Sequence, residues 1–220
     1  ARGGFHDAAP TPTLPTRAMS FALTASRCIG ALAFSAVLLA GCNRQTPAQR
    51  RPTPAESGEE RARIAVLDTI AARVATARLV LSGLTWAPGE PVTSVIVERA
   101  RDQAGSREDT VEDFRARTAV QVALRAPRGT RAEIVIVPPA ELAPGDGEDA
   151  ETHWQRFREA HRPATGWVRI TRAGFDQSRS SAMIAAKYRC GTRCGWGALY
   201  TLSRVADDWS IAEEAILWIQ

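Results

Sequence analysis

The residues best suited to chemistry are two cysteines and two histidines in the second half of the chain. Cys190 and Cys194 stand in the segment Arg189-Cys190-Gly191-Thr192-Arg193-Cys194-Gly195. Three chemistries use cysteines this close. A redox dithiol favours Cys-x-x-Cys at a helix start, where the helix dipole lowers a thiol pKa; here the spacing is one residue longer and the surroundings read as a turn between strands. A zinc site needs four ligands, so the pair would have to recruit His153 and His161, eight residues apart on or beside one helix. A disulfide asks only that the two residues flank a hairpin turn, since facing antiparallel residues have Cα atoms about 4.5–5.5 Å apart. Serine chemistry finds less. There is no Gly-x-Ser-x-Gly elbow and no Gly-rich phosphate loop with its lysine. Asp207-Asp208 reads as a hairpin-turn pair and Glu213-Glu214 as a solvated strand patch. No residue is assigned a catalytic role, and no cofactor or metal is implied.

Compartment decides among these chemistries. Met19 to Arg27 gives a positive flank, and Cys28 to Ala40 is an apolar run. That run is too short to span a bilayer core of about 30 Å as a helix. Together with the small residues that end it, the pattern is a secretory signal over 19–41, with 1–18 as upstream sequence. Export delivers the rest to an oxidising compartment, where Cys190 and Cys194 are expected to form a disulfide worth about 2 kcal/mol in the loop-entropy account.

Leu39-Ala40-Gly41-Cys42 resembles the bacterial lipobox. The resemblance implies lipid attachment at Cys42, cleavage before it, and anchoring to a membrane by several acyl chains. Asn43, where an Asp would favour inner-membrane retention, implies the outer membrane in a host that has one. The expected location is the cell envelope, facing the periplasm or exterior. The expected partners are the membrane, through the anchor, and an envelope protein or the cell wall.

Residues 42–58 hold no side chain larger than Ala among their apolar residues beyond Cys42 itself, and three prolines; such a segment reads as a disordered tether. Residues 59–220 read as one globular domain. The chain is 45% hydrophobic and 24% charged, which excludes collagen, coiled coil, wholesale disorder and a polytopic membrane protein. Its formal net charge is +4, and charges of both signs mix along the Glu98 to Arg117 stretch. That mixing lacks the clustered footprint of a nucleic-acid binder, so no nucleic-acid partner is expected. Lys187 is the only lysine.

The elements that must position these residues follow from periodicity. Ile64, Leu67, Ile70, Ala71, Val74, Ala77 and Leu81 recur at helical spacing, predicting a helix over 59–82 with Ser57 as its cap, although Leu79 to Leu81 also reads as a short strand. Val92 to Val97 reads as a strand, Asp109 to Arg117 as a helix with Val111 and Phe114 inward. Glu133 to Val137 reads as a strand ended by Pro138-Pro139, and Ala150 to Ala160 as a helix carrying Trp154 and Phe157. Four strand-like runs close the chain: Trp167–Thr171, Ala182–Tyr188, Trp196–Arg204 and Trp209–Ile219. Trp196, Ala198, Tyr200 and Leu202 share one face at period two. Gly191 and Gly195 are expected to supply the dihedrals of the intervening turn. The fold class is α+β: helices packed on an antiparallel sheet that ends in a four-stranded meander. Most of the six tryptophans read as core anchors.

Trp154-x-x-Phe157, Gly166 to Asp176, Tyr188-x-Cys190-Gly191-x-x-Cys194-Gly195-x-Gly197, Asp208-Trp209 and Trp218 together resemble a family of uncharacterised small proteins with a C-terminal Cys-Gly-rich hairpin. The resemblance covers about residues 60–220. It implies the domain boundary and the α+β fold and carries no activity. The expectation is a lipid-anchored envelope protein with a non-enzymatic binding or structural role. The alternatives are a thiol-dependent envelope enzyme using Cys190 and Cys194, and a hydrolase built on His153 or His161.

Overall fold

The structure is a computed structural model that describes residues 54–103 and 106–220. Cys42, the signal region and residues 42–53 of the expected tether lie outside the described residues. Helix α1 covers Pro54–Arg73, strand β1 Arg78–Ser82, α2 Glu90–Arg101, α3 Glu108–Thr118, β2 Glu133–Val137, and α4 Ala150–Ala160. Strands β3 (Trp167–Ile170), β4 (Gly174–Phe175), β5 (Ser181–Gly191), β6 (Cys194–Val205) and β7 (Asp208–Ile219) follow. The seven strands form one sheet in the order β2-β1-β3-β5-β6-β7, with the short β4 on β5. From β3 through β7 the pairing is antiparallel, giving the expected C-terminal meander. The sheet is mixed, because β1 runs parallel to both β2 and β3.

Two elements differ from their sequence reading. The first helix stops at Arg73, where Ala75 adopts a left-handed φ of 49°, and Arg78–Ser82 is the strand. That strand is flanked by parallel neighbours and buried on both faces, so its Leu79-Val80-Leu81 run has no alternation to betray it. Helix α1 begins at Pro54, so residues 54–58, expected as part of the tether, are helical, and Ser57 lies inside the first turn and not ahead of it. Val92 to Val97 belongs to α2 and is not a strand. Its buried positions are Thr93, Ile96, Val97 and Ala100, which follow helical spacing, while Val92 and Val95 are 45% and 58% exposed. Gly89 precedes the helix and a proline occupies its first turn, where a missing N–H costs nothing.

Alternation along the strands divides the core into two faces. On one, α1 buries Ala62, Val66, Leu67 and Ile70 against Leu81, Ile170, Ile184, Ala186, Tyr200 and Leu202. The other face carries two separate packings. Helix α4 sets Trp154 and Phe157 against Val80, Val137 and Trp167. Helices α2 and α3 set Ile96, Ala100 and Phe114 against Met183, Ala185 and Leu199. The strip of sheet between these two packings positions the site.

Candidate functional site

Along β3, Val168 and Ile170 point into the α1 core, so Trp167 and Arg169 point to the opposite face. Register then does the gathering. Trp167 pairs with Arg189 and Arg169 with Lys187. On the far side of β5, Lys187 pairs with Gly197 and Arg189 with Gly195, and Gly197 in turn pairs with Trp218 of β7. Three cations from two strands are thereby placed on one patch. Trp167 belongs to the α4 packing and Ala185 and Leu199 to the α2–α3 packing, so the patch lies between them.

Aromatic rings border the cations. The Lys187 ammonium lies 4.8 Å from the centre of the Trp86 ring, and the Arg169 guanidinium lies 5.5 Å from that of Trp167. Arg189 donates from Nη1 to Gln220 Oε1 at 2.5 Å and from Nη2 to the Thr192 carbonyl at 3.5 Å. Two glycines of β6 leave room for these side chains. A Cβ on Gly195 would stand 2.8 Å from Arg189 Cδ, and one on Gly197 would stand 2.7 Å from Trp218 Cε2. Neither Gly191 nor Gly195 has a positive φ, so the turn does not need them for the dihedrals expected above. In Cys-Gly-x-x-Cys-Gly-x-Gly, the second and third glycines instead let Arg189 and Trp218 lie flat on the sheet.

The electrostatics of the patch are one-sided. Several arginines elsewhere find carboxylates: Arg73 with Glu214, Arg78 with Glu133, Arg101 with Glu108, Arg117 with Glu59 and Arg156 with Glu148. Among the described residues, no carboxylate pairs with Arg169, Lys187 or Arg189. All three are half-buried. The Nε of Arg169 is buried without a hydrogen-bond partner. Burial, followed by the charges of Arg169 and Arg189, pulls the Lys187 amine down to about 8, and burial likewise lowers Arg169. Like charges held together without a counterion destabilise a fold. Chemically, such a patch suits an anion.

The sequence-derived candidates fall elsewhere. Cys190 and Cys194 stand at disulfide distance, with Cα atoms 5.0 Å apart across the β5–β6 turn. No helix begins there to activate a thiol. Cys190 packs on the α1 side of the sheet, whereas His153 rides on α4 on the opposite side. The structure therefore does not assemble the four-ligand zinc set, and among the described residues no three His, Cys, Asp or Glu side chains are grouped to hold a metal. The two histidines also part company. His153 is buried beside Arg156 and Glu148, at 3.2 and 3.6 Å, while His161 ends α4 near Glu141 and Phe157. Glu214 is not solvated as expected; it grips Arg73 with both oxygens and faces the buried Tyr200 phenol, whose pKa burial raises.

Two clefts remain. One of about 660 Å³ lies between α1 and the start of β7, lined by Ile64, Thr69, Arg131 and Trp209. Three of its charged residues are paired, Arg61 with the neighbouring Asp207 and Arg131 with Asp68. The other, beside Phe175, is ringed by Asp109, Asp113 and Asp176. Those carboxylates accept from the backbone N–H groups of Gln177, Phe175, Ser180 and Ser181, so they hold the 174–181 turn in place.

The basic patch escaped the sequence reading, which found mixed charges and no clustered footprint. A signal was present. In Trp167-Val168-Arg169-Ile170 and Lys187-Tyr188-Arg189, cations alternate with core residues inside strands that are otherwise apolar. No protein family, curated protein or solved structure matches the chain.

Proposed function

We propose that this chain is a lipid-anchored cell-envelope domain that binds its partner without transforming it, and that the Arg169–Lys187–Arg189 patch is where it takes an anion. One observation carries the reading: three half-buried cations share a patch with no carboxylate partner among the described residues. A fold that needed those charges only for itself would supply a counterion, as it does for Arg73 and Arg117. The lipobox-like Leu39-Ala40-Gly41-Cys42 supports the anchor, and the Cys190–Cys194 pair is compatible with an oxidising compartment.

Two measurements test it. Labelled palmitate should enter the chain expressed in a bacterium and be lost in Cys42→Ala. Small anions should raise the melting temperature of the full chain in detergent, because a ligand at a hundredfold its Kd adds about 2.7 kcal/mol. Neutral analogues should not, and Arg169→Gln with Lys187→Gln should abolish the effect. A chain that takes no label is not anchored at Cys42. Equal shifts in the double variant move the binding site elsewhere.

A further inference from the structure

We infer that the anion taken by this patch is a phosphate monoester, its phosphate met by Arg169, Lys187 and Arg189 and its remaining apolar body packed against Trp86 and Trp218. This rests on the anion-binding reading above. The count and type of the cations select the phosphate. A carboxylate brings one negative charge and two oxygens. A phosphate monoester brings close to two charges at pH 7 and three acceptor oxygens. Two guanidinium forks and one ammonium match that larger set, since arginine binds phosphate with paired N–H donors and lysine as a point charge. The donors stand ready. Arg169 keeps a buried Nε with no partner, and Arg189 spends its fork only on the neutral Gln220 and Thr192 oxygens. Lys187 faces only the Trp86 ring among its described polar and aromatic contacts.

The apolar half of the ligand follows from the border. Trp86 and Trp218 are both half-buried and lie on the same side of the sheet as the cations. Gly197, which pairs with Lys187 on one side and Trp218 on the other, leaves room for the Trp218 indole on this face of β6. Two half-buried indoles beside three cations suit a phosphate that ends an apolar or aromatic group. Both a lipid headgroup and a small free ester have that chemistry.

The test is calorimetric titration of the full chain in detergent with phenyl phosphate, octyl phosphate, phenylsulfonate and benzoate. The expected result is that at least one phosphate monoester binds at least tenfold more tightly than the sulfonate and the carboxylate. Arg169→Gln and Lys187→Gln should each weaken it at least tenfold while leaving the far-ultraviolet spectrum and cooperative melting intact. Phosphate affinity should also rise from pH 5 to pH 7 as the second proton leaves the ester, a limb the sulfonate lacks. Octyl phosphate binding tenfold tighter than phenyl phosphate identifies a lipid source; equal binding identifies a compact ester. Sulfonate or carboxylate binding as tightly as phosphate overturns this inference and leaves the anion site standing. No binding by any of the four overturns both.

Discussion

The Lys187 ammonium lies 4.8 Å above the Trp86 ring, and the charges that act on it, Arg169 and Arg189, are both positive. Trp86 is fixed for this contact, because its backbone N–H donates to the Ile170 carbonyl at the end of β3. The ring face attracts a cation by about 0.5–2 kcal/mol, which opposes the burial and the two guanidinium groups. The balance leaves Lys187 charged at neutral pH but poorly neutralised. Such a residue costs the fold stability, a cost that the proposed anion would offset.

That cost is measurable. Because the folded-state pKa of Lys187 is lowered to about 8 from about 10.4, the unfolded chain binds more protons between those values, and the stability arising from this group rises with pH across that window. Below pH 8 the charged side chain is a constant penalty. Lys187→Met keeps the stem and removes the charge. It is expected to stabilise the domain by about 0.5–1 kcal/mol at pH 7, the size of gain often found when a functional residue is relieved. The advantage should shrink by pH 10. Urea unfolding at pH 7, 9 and 10 reads both, and a Met variant less stable at every pH would contradict the penalty.

Gly197→Ala should lose about 1–3 kcal/mol, the usual cost of forcing an extra methyl into a packed site. The methyl would meet Trp218 Cε2 at 2.7 Å. Combining it with Trp218→Ala should recover part of the loss, since the two changes share one contact. Additive losses in chemical denaturation would show that the ring is not what Gly197 accommodates.

Asp176 is buried and orders the turn before β5. Burial opposes its charge, but the Ser178 and Ser180 hydroxyls and the backbone N–H groups of Ser180 and Ser181 outweigh that and hold its pKa below the ordinary value. A lowered carboxylate pKa gives stability that is present above the unfolded value near 3.9 and is lost as pH falls through the folded value. Asp176→Asn should cost about 1–3 kcal/mol at pH 7, because buried donors lose a charged acceptor. Its stability should also fall less than the parent's between pH 4 and pH 2. Parallel acid profiles for the two proteins would exclude Asp176 as a source of the acid sensitivity.

Replacing Cys190 and Cys194 by Ala together should lower stability by about 2 kcal/mol, the loop-entropy value for so short a closure. Anion affinity should change by no more than a few-fold, since Arg189 is held by Gln220 and Thr192. Peptide mapping with thiols blocked first should find the pair joined. Recovery of mixed disulfides with partner proteins would instead point to thiol chemistry.

Much of the fold was legible because period and punctuation agreed. Val111 and Phe114 marked α3, Trp154 and Phe157 marked α4, and the Trp196-to-Leu202 alternation marked the α1-facing side of β6. Helix α2 was not legible, because Val92, Val95 and Val97 are β-branched and mimic a strand, while its true face runs through Thr93, Ile96 and Ala100. The patch was hidden for a different reason. Arg169 and Lys187 are neighbours only through the β3–β5 register, which no local pattern specifies. Cys190 and Cys194 drew attention by residue type, yet the residues that gather around open charge are Arg169, Lys187 and Arg189.

The most direct test uses the fact that Lys187 is the only lysine. Reductive methylation with carbon-13 formaldehyde keeps the charge and labels a single side-chain amine, leaving only the chain terminus beside it. Following that resonance against pH, with and without octyl phosphate, reads the patch itself. The expected result is a midpoint near pH 8 in the free protein that moves upward when the phosphate binds, because the anion favours the charged amine. A midpoint near the ordinary lysine value of about 10.4 that octyl phosphate does not shift would contradict an uncompensated, anion-accepting patch.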